Sequence, residues 1–300
     1  MITGLNNALG EITLVLFTTL APSGVMAFIL MGLPLVRGGL NADVRQRIQR
    51  FLSIPLVTSM VGLVASATHL GNPANALYVF LGVGRSPLST EVFCAVVFLA
   101  LAGVYWLYSF SERPRVGLMR VWMALALVAG VVFITAVAFA YAADTIISWY
   151  TVYVPLNLWL NALVGGPLLA LVGLSAARYQ PAEGSFGRAL VVLAGVALVA
   201  NLVSFGLQSA DLPNIENAYL TAADLVPYYG LMVAAFGVLA LGGVGLDAQA
   251  LFGRAPTGEA AGARRLSVQR AVVACVLALA GIFIMRFAFY LMHMTVGLGL

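Results

Sequence analysis

A histidine and a glutamate of this sequence stand at the ends of two consecutive apolar segments. His69 closes the segment that begins near Phe51, and residues 69–73 read HLGNP. Glu91 opens the next apolar segment, and residues 86–91 read SPLSTE. If both segments are helices that pack antiparallel, the imidazole and the carboxylate lie at the same depth. Such a pair can accept and pass on protons, because histidine titrates near neutrality and a partly buried carboxylate can also take up a proton.

Each residue of this pair could also have a purely structural role. Glu91 would lie in the first turn of its helix, where the helix dipole favours a carboxylate. Ser86 or Ser89 would then be the N-cap, with Pro87 suited to the first turn. His69 would be a polar residue at a helix end. The residues alone leave both interpretations open.

A second set of polar residues interrupts the last apolar segment. Tyr290 and His293 follow Arg286 at spacings of four and seven residues, so the three lie on one helical face. Charged groups inside a membrane span are costly and usually functional. Arg286 would contact a ligand or an anionic partner such as Glu91 or Asp224. The alternative is an arginine whose long side chain reaches the membrane interface.

Other polar and aromatic residues have simpler explanations. Interhelical hydrogen bonds would explain the four amide side chains inside the apolar segments, which are Asn157, Asn161, Asn201 and Gln208. Trp149, Tyr150 and Tyr153 lie near the ends of apolar segments, so we expect them in the aromatic belt at the membrane interface. Cys94 and Cys275 lie inside apolar runs and lack metal-ligand spacing, so we expect neither a metal site nor an iron–sulfur cluster in this chain.

The elements that carry these residues are membrane helices. Hydrophobic residues make up 62% of the 300, charged residues only 9%, and the mean hydropathy is +1.01. A soluble domain has roughly 25% charged residues, and a span needs about 20 mostly apolar ones. The eight runs of this kind lie near Leu9–Val36, Phe51–His69, Thr90–Phe110, Leu118–Ala142, Pro155–Ala177, Arg188–Gln208, Val226–Leu246 and Arg270–His293. They are too long and too uniformly apolar for the strands of a barrel.

The sequence therefore predicts an all-α integral membrane protein with eight transmembrane helices in a single polytopic domain, residues 1–300. Residues 32–35 (GLPL) and 166–169 (GPLL) echo each other and leave open a division into two four-helix halves. Glycines that suit close helix packing are Gly165, Gly166, Gly237, Gly242 and Gly243.

The arginines predict the orientation of the protein. All fifteen basic residues are arginine, and thirteen fall in alternate loops: Arg37, Arg45, Arg47, Arg50, Arg113, Arg115, Arg120, Arg178, Arg188, Arg254, Arg264, Arg265 and Arg270. The positive-inside rule makes these loops cytoplasmic and places both termini outside the cytoplasm. The net charge of +4 thus reflects loop arginines and gives no indication of nucleic-acid binding. We expect the first span to be retained, because no basic n-region precedes it.

At residues 69–73 (HLGNP) and 88–91 (LSTE) the sequence resembles the membrane anchor subunit of dimethyl-sulfoxide-reductase-type molybdoenzymes. The resemblance extends to the layout of eight spans and the exterior termini, and it implies a multi-pass protein of a bacterial or archaeal cytoplasmic membrane. It also implies a role in anaerobic respiration, in which a haem-free anchor oxidises a quinol, usually menaquinol. The anchor passes the electrons to an iron–sulfur subunit with four clusters, and that subunit serves a molybdopterin catalytic subunit. The reductase would act on S-oxides, N-oxides or another acceptor.

The quinol-site residues implied by the resemblance are His69 and Glu91. His69 would hydrogen-bond a ring hydroxyl, Glu91 or a water would accept a proton, and protons would leave to the outside. Arg286 and Tyr290 are further candidates for binding the quinol, although the resemblance does not extend to them. The protein would not act on the terminal substrate itself.

Three rival functions stay open at this point. The two histidines, His69 and His293, fall on one side of the membrane and could ligate haem b in a cytochrome anchor. Eight spans, the internal echo and the buried Arg286 would suit a secondary transporter. A structural anchor with a degenerate quinol site is the third.

Overall fold

The computed structural model describes residues 4–69, 73–253 and 267–295. Eight helices in these ranges are long and apolar enough to cross a membrane. We label the membrane helices in sequence order α1 (Ile12–Arg37), α2 (Ser53–Thr68), α3 (Pro87–Tyr108), α4 (Val116–Ala140), α5 (Tyr153–Ala176), α6 (Ser185–Asp211), α7 (Tyr229–Phe252) and α8 (Val268–Leu291). The predicted all-α fold with eight spans is confirmed, and the exterior placement of the termini stays a prediction.

Short helices occupy several of the connections. The helix Leu5–Gly10 precedes α1, and Ala42–Phe51 leads almost without interruption into α2. A 3₁₀-helix, Pro73–Gly82, fills much of the connection between α2 and α3. Residues 70–72 of the HLGNP run lie outside the described residues, as do three of the loop arginines, Arg254, Arg264 and Arg265.

The helices α1 and α5 form the centre of the bundle. Of the most apolar stretch of each helix, 78% of α1 and 89% of α5 is buried inside the protein. Small residues permit this close packing: a Cβ at Gly165 would collide with Ser23, and one at Gly166 with Met26. The predicted role of these two glycines is thus confirmed, and Gly243 approaches the backbone of Ala274 in the same way.

The eight membrane helices form two sets of four, and each set contributes one helix to this central pair. In each set the helices pack in sequence, α1–α4 and then α5–α8, and α1 joins them by contacting both α5 and α8. The two sets differ in one respect, because α6 and α7 pack along much of their length whereas α2 and α3 touch little. The separation of α2 from α3 leaves space in the first set of helices.

Candidate functional site

A cavity of about 1120 Å³ occupies the end of the bundle where α2 ends and α3 begins. Its walls come from the starts of α1 and α3, the ends of α2 and α8, the 3₁₀-helix Pro73–Gly82 and the connection between α4 and α5. Most of the lining is apolar. The titratable residues that line it are Glu11, His69, Glu91, Tyr141, Asp144, Tyr150, Tyr290 and His293. The cavity therefore contains both residues of the predicted proton-accepting pair.

The start of α3 places Glu91 in the wall of this cavity. Ser86 is the N-cap, its hydroxyl accepts a hydrogen bond from the backbone N–H of Ser89 at 3.4 Å, and Pro87 is the first helical residue. The N-cap prediction is confirmed, but the placement of Glu91 in the first turn is wrong, because the helix begins at Pro87. Glu91 lies in the second turn, where the helix dipole contributes little.

The side chain of Glu91 is deeply buried. The residue is 3% exposed, and its Oε2 atom has no hydrogen-bond partner in the described part of the protein. Burying a carboxylate without a partner is expensive. A site that receives a hydrogen-bonding ligand or a proton would account for this cost.

His69 lies at the mouth of the same cavity, one residue beyond α2. Its backbone N–H donates to the carbonyl oxygen of Ser66 at 3.0 Å, which keeps it in the last helical turn. Its Nε2 atom is 3.2 Å from Oε2 of Glu11, and the two side chains are 43% and 34% exposed. The Glu11 oxygen lacks an aligned hydrogen bond, so the contact is defined by distance and is an ion pair only when His69 is protonated. His69 and Glu91 thus share a cavity as predicted, but the carboxylate paired with His69 is that of Glu11.

The connection between α4 and α5 is fastened to the end of α8. The hydroxyl of Ser148 donates to the carbonyl oxygen of Met292 and accepts from the backbone N–H of Met294 at 3.2 Å. The indole N–H of Trp149 donates to the carbonyl oxygen of Phe289 at 3.1 Å. These bonds hold Trp149 against the cavity, with its ring 4.9 Å from that of His293.

Two tyrosine hydroxyls lie between the cavity and the interior of the bundle. Tyr141 ends α4, Tyr290 belongs to α8, and their ring centroids are 6.1 Å apart. Tyr290 is 1% exposed, and its hydroxyl approaches that of Tyr141. The Tyr290 hydroxyl also approaches the hydroxyl of Thr18 and the guanidinium of Arg286, so these groups connect the cavity wall to the interior of the bundle.

Arg286 lies behind these tyrosines and is not among the residues that line the large cavity. Its Nε atom donates to the hydroxyl of Thr18 at 2.9 Å, and its guanidinium stacks 4.2 Å from the centre of the Phe289 ring. The residue is 2% exposed, so the prediction of a side chain that reaches the interface is wrong. The charge is held inside the bundle by α1 and by neighbouring rings.

Neither anionic partner considered for Arg286, Glu91 or Asp224, forms an ion pair with it in the described ranges. Asp224 accepts hydrogen bonds from the backbone N–H and the hydroxyl of Thr221, both at 2.8 Å. These bonds hold the pKa of Asp224 below its usual value. In the described ranges the structure contains no ion pair between Arg286 and a carboxylate. One Nη atom instead lacks a partner and borders a chamber of about 10 Å³, enough for a single water.

The four amide side chains of α5 and α6 bond to each other, as predicted. Asn157 donates to Gln208 at 3.0 Å, and Asn201 donates to Asn161 at 2.6 Å. Both bonds are buried, and Tyr229 of α7 adds a third to Gln208 at 3.0 Å. These residues connect helices and lie outside the lining of the large cavity.

Three residues of the cavity were missed or misassigned by the sequence interpretation. Glu11 falls near the start of the predicted run Leu9–Val36 and immediately precedes α1 in the structure, and Tyr141 follows the last residue of a hydrophobic helix. Neither position marks a ligand site in the sequence. Trp149, predicted as a belt residue, is only 8% exposed and stacks 4.3 Å from Phe289. In the sequence, Trp149 lies in the connection between α4 and α5, where a residue of the membrane interface is expected. Hydrogen bonds between that connection and the end of α8 bury it instead.

Comparisons with known proteins cover nearly the whole sequence. A family model described as "DMSO reductase anchor subunit (DmsC)" matches residues 5–292. The C subunit of the anaerobic dimethyl sulfoxide reductase of Escherichia coli K12 is 33% identical over 96% of both proteins, and the anaerobic dimethyl sulfoxide reductase subunit YnfH from the same organism is 31% identical over 99% of both. The corresponding C subunit of Haemophilus influenzae is 31% identical over 76% of this sequence and 80% of its own. The resemblance found at the two short motifs is thus confirmed, and this chain belongs to the DMSO reductase anchor subunit (DmsC) family as a multi-pass protein of the bacterial cytoplasmic membrane.

Proposed function

We propose that the protein binds menaquinol in the large cavity, oxidises it and passes the electrons to an iron–sulfur subunit. That subunit would carry four clusters and supply a molybdopterin catalytic subunit of the same reductase complex. One observation supports this proposal most strongly. His69 and Glu91, which come from different helices, line one cavity, where the Oε2 atom of Glu91 is buried without a partner among the described residues.

The size and lining of the cavity suit a quinol. Small-molecule sites usually have about 300–1,000 Å³ and apolar walls with a few polar groups, and this cavity has about 1120 Å³. Its charged lining residues are acidic, and no arginine is found among its described lining residues. Such a lining would repel an anionic substrate, whereas it suits a neutral molecule that gives up protons as it is oxidised.

An opening between α2 and α3 offers a route from the lipid. The two helices touch little, and the cavity wall includes apolar residues that are strongly exposed, among them Leu88 at 57% and Val96 at 47%. An apolar quinol tail would remain in the lipid while the ring enters between the helices. This arrangement requires no polar channel through the bundle.

The proton acceptors lie where the protons must leave. Glu91 is buried deep in the cavity, and His69 stands at its mouth with 43% of its side chain exposed. Under the predicted orientation the mouth faces the outside, so oxidation releases protons there. A partner that docks on this face gives the electrons their shortest path, because we expect no haem or metal within the protein to carry them to the opposite side.

Arg286 contributes to the site indirectly in this proposal. Its guanidinium lies 5.7 Å from the ring centres of both Tyr141 and Tyr290, which line the cavity. A fixed positive charge in a medium of low dielectric favours negative charge nearby. Arg286 would thus favour proton loss from the quinol through Tyr290, rather than bind the ring itself.

The test is quinol-driven reduction of the iron–sulfur subunit in the intact complex, followed by the absorbance of its clusters. His69→Arg should abolish the reduction while the complex still assembles. Thr68→Arg is the matched control, since Thr68 is exposed, adjacent and outside the cavity lining, and it should leave the rate unchanged. A rate of quinol-driven reduction in His69→Arg equal to that in Thr68→Arg would overturn the proposal. A parent complex without any quinol-driven reduction would favour the purely structural anchor.

A further inference from the structure

Glu11 occupies a break between two helices at the mouth of the cavity. It follows the helix Leu5–Gly10, and its carbonyl oxygen accepts hydrogen bonds from the backbone N–H groups of Leu14 and Val15 at the start of α1. The backbone is thus fixed by the helix that it begins. Its side chain lines the cavity, with Oε2 at 3.2 Å from Nε2 of His69.

Glu11 also acts on the second histidine of the cavity. Burial lowers the pKa of His293, and the negative charge of Glu11 opposes part of that shift. The two histidines of the sequence, His69 and His293, therefore both lie within the electrostatic reach of one carboxylate. This carboxylate belongs to the start of α1, whereas the imidazoles belong to the ends of α2 and α8.

We propose that Glu11 is a positioning residue of the quinol site, which orients His69 and stabilises the imidazolium that forms when His69 takes up a proton. The inference rests on the proposed oxidation of quinol in this cavity. A carboxylate at one ring nitrogen fixes the orientation of an imidazole and leaves the other nitrogen for the ligand. The imperfect alignment of the pair is typical of such contacts before the substrate binds.

Each group in the cavity accepts or passes on a defined proton when the quinol is oxidised. Oxidation breaks both O–H bonds of the quinol, and the two electrons leave for the iron–sulfur subunit. One proton goes to Glu91, and the other goes to the free ring nitrogen of His69. His69, whose side chain is 43% exposed, then gives the added proton to outside water, and Glu91 passes its own proton out through His69 in the same way. Both protons thus reach the outside, while the Glu11 carboxylate stabilises each imidazolium that forms.

The other ionisable groups of the cavity are less suited to this role. The remaining titratable lining residues are Glu91, Tyr141, Asp144, Tyr150, Tyr290 and His293. Glu91 is buried at 3% exposure, so it lacks direct access to outside water. Asp144 is exposed, but within the described ranges the carboxylate in close contact with His69 is that of Glu11.

The experiment compares Glu11→Gln with Glu11→Asp in the assembled complex, by steady-state oxidation of a menaquinol analogue. Glu11→Gln should lower kcat about 10- to 100-fold, the range found for carboxylates that orient a histidine in metal sites, with little change in KM. Glu11→Asp should fall between this variant and the parent. Glu216→Gln is the control, since Glu216 is a carboxylate outside the cavity lining, and it should match the parent.

A double variant distinguishes positioning from a general effect on structure. In a His69→Gln background, Glu11→Gln should cause no further loss, because the carboxylate acts through the imidazole. An additive loss would overturn the inference, as would a parent-like kcat of Glu11→Gln. If Glu11→Gln does not assemble, a parent-like kcat of Glu11→Asp would overturn it. Failure of the underlying function has a different signature, since His69→Arg would then retain quinol-driven reduction.

Discussion

Glu91→Gln is the substitution that most sharply separates proton acceptance from binding. Glutamine has nearly the same shape and keeps an oxygen that accepts hydrogen bonds, but it cannot take up a proton. The protein offers a matched control in Asp247 of α7, which is 0% exposed with both carboxylate oxygens unpaired among the described residues. Asp247 lies toward the opposite end of the bundle from the cavity. Asp247→Asn therefore removes a carboxylate of similar burial without touching the site.

The expected magnitude follows from the role of the carboxylate. A positioned general base contributes about 10²- to 10⁴-fold to the rate of a proton transfer. The site contains His69 as a second acceptor, so we expect the lower end, a fall in kcat of about 100-fold. This corresponds to about 2.7 kcal/mol in the activation barrier, since each factor of ten is about 1.36 kcal/mol. KM should change little, because the amide can still bind a hydroxyl.

The assay is steady-state oxidation of a menaquinol analogue by the purified complex, with assembly checked by the copurifying iron–sulfur absorbance. Asp247→Asn should keep kcat within about twofold of the parent. The reasoning fails if Glu91→Gln oxidises quinol at more than about a third of the parent rate. It also fails if both variants lose activity equally, because burial of a carboxylate, rather than its place in the cavity, would then decide the result.

Three further expectations concern the surroundings of the site. Ser148→Ala should raise KM for the quinol analogue without preventing assembly, because the α4–α5 connection loses its hydrogen bonds to the end of α8; an unchanged KM would argue against this. Asn201→Leu should lower the thermal midpoint in detergent by leaving the amide of Asn161 unpaired, a cost of about 1–3 kcal/mol. The double replacement by leucine should recover part of that loss, and purely additive losses would contradict the interhelical bond. Arg286→Lys should lower the same midpoint, because lysine cannot both stack on Phe289 and keep the Nε hydrogen bond; a midpoint equal to that of the parent would show that neither contact stabilises the fold.

Much of the fold could be predicted from sequence because the membrane imposes one dominant constraint. A span must be long, apolar and internally hydrogen-bonded, so hydropathy alone located all eight helices to within a few residues. Local chemistry also limited the N-cap of α3 to Ser86 or Ser89, and the structure has Ser86 there. The placement of His69 and Glu91 at the same end of the bundle followed from the antiparallel connection between α2 and α3.

The partners of individual side chains could not be predicted in this way. Glu11 and His69 are distant in sequence, and their contact depends on how the start of α1 leans toward the end of α2. Trp149 became part of the cavity because hydrogen bonds from a loop to α8 bury it. A charged residue inside an apolar segment predicts that Arg286 has a functional or structural role. Which role it has depends on its neighbours in space, and the structure has it stacked on Phe289.

The central claim is that quinol binds in the cavity between α2, α3 and the end of α8, and photo-crosslinking tests it directly. A photoreactive menaquinone analogue would be irradiated with the intact complex, and the labelled peptides would be identified by mass spectrometry. We expect labels on α3 near Glu91 and on the segment around Trp149, and we expect excess unlabelled menaquinol analogue to suppress them. Labels confined to the opposite end of the bundle, or labels that excess quinol does not displace, would contradict the account.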